Sequence, residues 1–241
     1  MPSNYYQIVE MLSRDFTTEK IMIPLAELIS ANSKDECLKL SKKHDDLDII
    51  PFVQKEAITG YWDKRKMRIV PLSPKHIITN STTILHLIDL FDSHEFFFVM
   101  SGPEVVGFVH RSDLNNDLLK IPFYILLQSL ESLLLEKLSL SINDVQQLSD
   151  NARVKQITDQ HMLKMEGDMH IDSVQGLYLS EILEISKNRE VLNLSGSMKH
   201  LLEDFRNRVS HADRSLLNKP EEISYLKQVK DYCLTMLEQL T

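Results

Sequence analysis

An internal repeat of 47 residues constrains the first half of the chain more than any other feature. Ile49–Pro51 aligns with Phe96–Phe98, and Gly60 aligns with Gly107. In each copy, two apolar stretches of strand-like length flank a short polar turn, and a stretch with helical apolar spacing precedes them. The pattern predicts two hairpins, Ile49–Val53 with Ala57–Trp62 and Phe96–Met100 with Val105–His110. Because neither copy can bury its apolar face alone, we expect the two copies to pack face to face.

The second copy ends in Gly107-Phe108-Val109-His110-Arg111-Ser112-Asp113-Leu114. This segment resembles a motif of CBS domains: glycine, two apolar residues, Thr or Ser, two further residues, then Asp. CBS domains occur as pairs of β-α-β-β-α units, called Bateman modules, whose clefts bind adenine nucleotides. The resemblance implies a nucleotide site at His110, Arg111, Ser112 and Asp113. Asp113 would accept the ribose hydroxyls, for which an ionised carboxylate is suited because it only accepts hydrogen bonds.

Two departures from the CBS motif limit this interpretation. His110 stands where the family has Thr or Ser, so the phosphate contact would pass to Arg111. In the first copy, Asp63 stands at the Thr place and Lys66 at the Asp place, so we expect at most one working nucleotide cleft per chain. Asp113 has an alternative role, which is to cap a helix that begins at Leu114. The basic run 63–68 is interpreted as a solvated turn rather than a contact for phosphates or RNA.

The chain from Pro122 onward has helical periodicity and contains Arg206-Asn207-Arg208-Val209-Ser210-His211 near the end of one apolar-periodic stretch. If the helix continued through this motif, Asn207 and His211 would share a face. An arginine binds phosphate oxygens in a fork, and a histidine transfers protons near neutral pH. The alternative to a functional role is a solvated helix end at which His211 serves as the C-cap.

The motif and the helices around it resemble the HEPN family of helical bundles, over roughly residues 122–241. Many HEPN proteins are metal-independent endoribonucleases that act as dimers, and others bind nucleotides or partners without catalysis. The resemblance implies that His211 carries the proton and that Arg206 clamps the phosphate. Asn207 would orient the histidine or the substrate, and Arg208 would be an auxiliary cation. Glu131 is a weaker candidate for pairing with Arg206 or Arg208.

Composition narrows the function classes. Residues 1–120 hold 14 basic and 17 acidic side chains and residues 121–241 hold 13 and 18, so neither half is a basic nucleic-acid domain. Any RNA contact must therefore be local, and we expect no DNA binding. No apolar run reaches eighteen residues and no targeting segment is evident, so we expect no membrane span. Cys37 and Cys233 lack a CxxC partner, which is typical of reduced thiols in a cytoplasmic protein.

A metal site is not expected, although one stretch, residues 161–170, contains both acidic residues and histidines. The spacing of His161, Glu166, Asp168 and His170 matches no zinc or di-iron motif. A Gly-rich phosphate loop is also missing from the sequence, which has only six glycines.

The sequence therefore predicts an α+β protein in which a CBS pair (residues 1–120, with copies at about 15–77 and 78–120) precedes an all-α HEPN-like bundle (121–241). The hypothesis is an adenine-nucleotide sensor, with AMP, ADP or ATP as regulatory ligand and no required cofactor. It would form a homodimer and govern a bundle with metal-independent endoribonuclease potential. The alternative is a non-catalytic dimeric regulatory module that recruits a protein partner. A third interpretation makes the chain the toxin of a toxin–antitoxin pair.

Overall fold

The computed structural model describes residues 4–146, 148, 150–166, 177–192 and 194–240. It divides into two compact units. The sheet unit comprises Met11–Leu119 and Lys219–Ile223, and the helical unit comprises Met1–Glu10, Lys120–Asn218 and Ser224–Thr241. The protein is thus a mixed α+β chain, as expected. Asp168 and His170, two of the four acidic and histidine residues between 161 and 170, lie outside the described residues.

The sheet unit contains seven short strands and two helices of its own. The strands are β1 (Ile23–Pro24), β2 (Ile49–Gln54), β3 (Ala57–Asp63), β4 (Arg68–Pro71), β5 (Ile77–Thr79), β6 (Phe96–Ser101) and β7 (Glu104–His110). The helices are α2 (Lys34–Lys43) and α3 (Ile84–Leu90), preceded by α1 (Asn4–Asp15), whose first residues belong to the helical unit. The strands form one sheet in the order β1-β7-β6-β5 and another in the order β2-β3-β4.

The 47-residue repeat is confirmed by the register of the strands. Ile49 pairs with Asp63 in the first hairpin, and Phe96 pairs with His110 in the second, an offset of 47 on both sides. Each hairpin has an irregularity at the same place, after Phe52 and after Val99. The parallel bridge from Ala31 to Phe52 likewise corresponds to the parallel pair Ile78 and Val99.

The repeat also includes the two short edge strands, β1 and β4. Each of them pairs with the hairpin of the other copy rather than with its own. Pro24 of β1 pairs with Gly107 in the second copy, whereas Pro71 of β4, which is 47 residues later, pairs with Gly60 in the first copy. Proline lacks a donor N–H, so it is tolerated at a sheet edge, where β1 and β4 both lie. The second copy thus extends back to β4, upstream of the residue-78 boundary expected from the sequence.

The two sheets bury their apolar faces against each other, as the repeat predicted. The cluster between them contains residues from both hairpins, namely Ile58, Tyr61, Phe96, Phe98 and Phe108. On its other face, the first sheet buries Cys37, Ile50, Phe52 and Trp62, where the sheet meets α2. Buried side chains of this size contribute about 1.5–3 kcal/mol each, so this two-sided burial stabilises the sheet unit.

The described part of the helical unit contains helices and no strand. Beyond α1, its helices are α4 (Lys120–Leu138), α5 (Ile142–Val145), α6 (Asn151–Glu166), α7 (Leu179–Asn188), α8 (Gly196–Ser210) and α9 (Ile223–Leu240). Helix α4 packs on α7 and α8, and the rings of Phe123 and Phe205 lie 5.4 Å apart at the α4–α8 contact.

One stretch among the described residues, Asp117–Leu138, is long and apolar enough to cross a membrane by length and composition alone. Core helices of bundles meet the same two criteria. The apolar side chains Phe123, Leu126, Leu127, Leu130 and Leu134 of this stretch are each at most 1% exposed. Packing inside the helical unit therefore accounts for its apolar character.

Candidate functional site

A cavity of about 410 Å³ opens in the sheet unit where β2 and β6 begin and β3 ends. Because Asp48-Ile49 and Glu95-Phe96 are equivalent positions of the repeat, both copies contribute to it at the same end of their hairpins. Its size is within the range of about 300–1,000 Å³ that is typical of small-ligand pockets. We call this cavity the cleft.

Aromatic rings form one wall of the cleft. The imidazole of His76 is stacked on Phe96, with ring centroids 5.2 Å apart and planes inclined by 5°. Tyr61 meets His76 and Phe96 edge-on at 5.4 and 4.9 Å, and His94 meets His76 edge-on at 6.0 Å. Such a wall offers apolar faces and polar ring edges, to which a planar heterocycle can bind by stacking.

The cleft is also lined by charged side chains, among them an arginine that forms ion pairs with a residue of each copy of the repeat. Arg65 lies in the turn between β3 and β4 and donates through Nη1 to both carboxylate oxygens of Glu95, at 3.0 and 3.1 Å. Its Nη2 donates to Asp48 Oδ2 at 3.0 Å. These bonds raise the pKa of Arg65 above its ordinary value. All three side chains are about half exposed or more, at 63%, 46% and 47% for Arg65, Glu95 and Asp48, so the ion pairs stabilise the fold weakly.

Two lysines complete the charged lining and differ in their partners. Lys66 Nζ lies 2.7 Å from Asp63 Oδ2, and the Lys66 backbone N–H donates to Asp63 Oδ1 at 3.0 Å. Burial raises the pKa of Asp63, but these bonds outweigh burial and hold it below its ordinary value. Lys75 is exposed, and in the described part of the chain it lines the cleft without such a buried carboxylate partner.

Two histidines at or near the cleft, His76 and His110, have a pKa below the ordinary value, which favours the neutral imidazole. Burial lowers the pKa of His76, and the nearby Lys75, His94 and Lys66 lower it further. Burial also lowers the pKa of His110, against the opposing effect of Asp113 and Glu95. A neutral imidazole both donates and accepts hydrogen bonds, so these rings present polar edges without adding charge.

The four residues predicted to bind nucleotide lie at the end of β7 and in the 3₁₀ turn Arg111–Asn115. The His110 backbone N–H donates to Asp113 Oδ2 at 2.8 Å, and His110 Nδ1 accepts the Ser112 N–H at 3.1 Å. Burial raises the pKa of Asp113, against the hydrogen bond from His110. Asp113 is therefore not the N-cap of a helix that begins at Leu114: the N-cap of the 3₁₀ turn is His110, and Asp113, the third residue of the turn, completes a capping box by accepting the His110 N–H.

Arg111 has structural partners in this arrangement. Its Nη2 donates to the carbonyl oxygens of Phe91 and His94 at 2.7 and 3.0 Å, which ties the end of β7 to the loop before β6. These bonds direct part of the guanidinium toward the backbone and hold His94 at the edge of the cleft.

The structure brings together only part of the RNRVSH motif. Arg206 and Asn207 line a second cavity of about 330 Å³ in the helical unit, together with Tyr178, Ser180 and Glu203. Burial raises the pKa of Glu131, and the charge of nearby Arg206 lowers it in part. The ion pair of Glu131 with Arg206 or Arg208 stays a prediction, and His211 is not among the residues that line this cavity.

His211 does not share a helix face with Asn207, which corrects the geometry expected from the sequence. Helix α8 ends at Ser210, and His211 is an exposed C-cap with φ −115° and ψ 121°. The physical reason is Lys120, which is 8% exposed and whose Nζ donates to the carbonyl oxygens of His211 and Ala212 at 3.2 and 3.1 Å. Arg208 contacts Asp204 at 2.8 Å and donates to the Leu216 carbonyl, so its guanidinium fixes the same helix end.

Sequence reasoning missed the residues that line the cleft. Asp48 and Glu95 occupy the same position of the repeat, immediately before β2 and β6, and their equivalence was available from the 47-residue alignment. Arg65 was assigned to a solvated turn, which is correct for its backbone but omits its two carboxylate partners. Lys75 and His76 had no signal beyond their place after an edge strand. No cluster of His, Cys, Asp and Glu suited to a metal occurs among the described residues.

Comparison with known proteins found no matching family model and no matching curated protein. Similar solved structures include three of the CBS domain of the bacterial CNNM/CorC family Mg²⁺ transporter. The domain alone and its complex with the inhibitor IGN95a are each 15% identical, cover 46% of this chain and 78% and 79% of theirs, and have a TM-score of 0.36. The complex with ATP is 14% identical, covers 46% of this chain and 91% of its own, and has a TM-score of 0.37.

Proposed function

We propose that the sheet unit binds an adenine nucleotide in the cleft and acts as a regulatory sensor for the chain. The observation that supports this most directly is the convergence, in one cavity, of stacked aromatic rings, an arginine in exchangeable ion pairs and an exposed lysine. These are the groups that a base, a ribose and a phosphate require. The resemblance of residues 107–114 to the CBS motif agrees with the same ligand class.

The base would bind at the aromatic wall. His76 and His94 are half-buried, whereas Phe96 is stacked between His76 and Phe108 and Tyr61 is only 4% exposed. The base would therefore stack on the imidazoles and hydrogen-bond to their edges, which favours a heterocycle over an aliphatic group. The phosphate would bind at Lys75 and Arg65, because a guanidinium binds phosphate oxygens in a bidentate fashion. Breaking the exposed ion pairs that Arg65 now forms costs little.

The ribose would bind to carboxylates. Asp48 and Glu95 line the cleft and only accept hydrogen bonds. They can therefore accept hydrogen bonds from vicinal hydroxyls once Arg65 turns toward phosphate. Asp113 is not among the residues that line the cleft, and only its Oδ1 is left for the ribose role that the CBS resemblance implies, since Oδ2 accepts the His110 N–H. Asp113→Ala therefore tests a ribose contact and a turn cap together, and Asp113→Asn separates them by keeping the shape of the cap.

Binding of adenosine and AMP, measured by isothermal titration calorimetry and thermal shift, tests the proposal. His94→Ala removes part of the aromatic wall and should weaken both ligands alike. Lys75→Gln removes a cation and should weaken AMP about 3–10-fold while changing adenosine less than about 2-fold. His86→Ala and Lys42→Gln, two exposed positions outside the cleft, are the matched controls. Wild-type protein that binds neither ligand at millimolar concentration would refute the nucleotide-sensor function.

The second candidate function is the metal-independent endoribonuclease. One observation favours it, namely that Arg206 and Asn207 line a common cavity on the helical unit. The separation of His211 from that cavity within one chain favours the alternative of a binding module that recruits a partner. RNA cleavage in the presence of EDTA, with and without AMP, distinguishes them. Cleavage by the wild type that is lost in His211→Ala supports the nuclease, and equal cleavage by both excludes His211 as the proton carrier.

A further inference from the structure

The charges that line the cleft are balanced, and the balance bears on which nucleotide it accepts. Three cations, Arg65, Lys66 and Lys75, face three carboxylates, Asp48, Asp63 and Glu95. A strongly anionic ligand therefore meets no net positive field. What matters is which of the three cations can leave its present partner.

Lys66 is held in place by its partner. The Asp63 carboxylate is only 9% exposed and takes both the Lys66 ammonium and the Lys66 backbone N–H. Withdrawing the ammonium would leave a buried carboxylate without its counter-ion, which is far more costly than breaking an exposed ion pair. Lys66 is therefore not available to a phosphate.

Arg65 is available, but at the expense of its two carboxylates. Its ion pairs with Asp48 and Glu95 are exposed and weak. When a phosphate takes the guanidinium, these two carboxylates remain beside it and repel any further negative charge of the ligand. The cleft thus supplies two usable positive charges, Arg65 and Lys75, against two fixed negative ones.

We propose that the cleft selects a nucleoside monophosphate over the corresponding triphosphate, because Arg65 and Lys75 match one phosphate group while Asp48 and Glu95 repel additional ones. A phosphate monoester carries about two negative charges at neutral pH, which equals the two usable cations. The second and third phosphates of a triphosphate find no further cation among the described residues that line the cleft. A divalent cation bound to the triphosphate cancels part of its charge, so Mg²⁺ reduces the discrimination.

This inference rests on the proposed nucleotide site and adds its selectivity. The test is calorimetric titration of the full chain with adenosine, AMP and ATP, in EDTA and again with Mg²⁺. In EDTA, AMP should bind about tenfold or more tightly than ATP, and Mg²⁺ should narrow this ratio. Glu95→Gln removes one repelling charge and should raise the affinity for ATP relative to AMP about 3–10-fold, because any loss of its ribose contact weakens both nucleotides alike. Glu104→Gln, an exposed carboxylate at the tip of the second hairpin, is the control and should leave the ratio unchanged.

The outcomes separate the selectivity from the function. ATP that binds as tightly as AMP in EDTA overturns the selectivity and leaves the nucleotide site standing, provided that adenosine and AMP bind. An unchanged AMP-to-ATP ratio in Glu95→Gln overturns the role given to the carboxylates. Failure of adenosine and AMP to bind overturns the nucleotide site itself and the selectivity with it. A thermal denaturation curve like that of the wild type excludes misfolding of the variant as the cause.

Discussion

The repeated glycines Gly60 and Gly107 lead to a quantitative prediction, because each lies where an exchanged edge strand crosses closely. A Cβ on Gly60 would lie 2.4 Å from the carbonyl oxygen of Val70 in β4. An ordinary C···O contact is about 3.3 Å, so Gly60→Ala must push β4 away by about 0.9 Å. A displacement of that size breaks hydrogen bonds, including the one from Leu72 N to Thr59 O at 3.0 Å.

The expected loss of stability follows from two opposing effects. Overpacking costs about 1–3 kcal/mol, and the lower entropy of the unfolded alanine chain returns about 0.4–1 kcal/mol. The difference is about 0–2.6 kcal/mol. Because the displacement also breaks hydrogen bonds, we expect Gly60→Ala to lose about 1.5–2.5 kcal/mol, which lowers Tm by roughly 3–10 °C for a chain of this size. Because β4 leads into the turn Pro74–His76, AMP affinity should fall as well.

Gly107→Ala should show the same effect in smaller measure. Its Cβ would meet the Met22 Sδ at 2.7 Å, which can move aside, and the Ile23 carbonyl oxygen at 2.8 Å, which requires a shift of only about 0.5 Å. The control is Gly102→Asn, where φ is +58° and no atom lies within 4 Å of the Cβ. Asn tolerates this conformation, so its stability should stay within about 0.5 kcal/mol of the wild type. Differential scanning calorimetry that finds Gly60→Ala as stable as Gly102→Asn would refute the close-crossing argument.

Two further predictions concern the helical unit. Lys120→Met removes the ammonium that donates to the His211 and Ala212 carbonyls and leaves the first with the Arg214 N–H at 3.3 Å. Urea unfolding should therefore show a loss of about 1–3 kcal/mol, whereas exposed Lys137→Met should cost less than about 0.5 kcal/mol; equal losses would contradict the capping role. Burial raises the pKa of Glu131 despite Arg206, so the folded state holds this proton more tightly than the unfolded state and wild-type stability declines as pH rises through the raised pKa. The gain in Tm on Glu131→Gln should therefore be larger at pH 7 than at pH 4, and a gain that is the same at both values would contradict the assignment.

Much of the sheet unit follows from local sequence. Apolar stretches of strand length around a polar turn predict the two hairpins, because backbone pairing across a short turn involves neighbours in the chain. The 47-residue offset then predicts that both hairpins have the same register, as the pairs Ile49–Asp63 and Phe96–His110 show. The composition also limits nucleic-acid binding to a local surface, since that statement needs only charge counts.

The candidate site depended on contacts between distant parts of the chain. Arg65 is 17 residues from Asp48 and 30 residues from Glu95 along the chain, and only the packing of one hairpin on the other brings their charges together. Likewise, α8 ends before His211 because Lys120, 91 residues earlier, donates to its carbonyl. The sequence offered a helix end with His211 as C-cap as an alternative, but it gave no indication of the lysine that donates there.

The sequence by itself therefore determined the two hairpins, the repeat that relates them and the equivalence of Gly60 and Gly107. It did so because these depend on the side-chain pattern within a few residues of each other. The tertiary structure alone decided that β1 and β4 exchange between the copies, that Arg65 faces two carboxylates, and that Asn207 and His211 are separated. These features arise from the energies of long-range burial and ion pairing, which a local pattern does not contain.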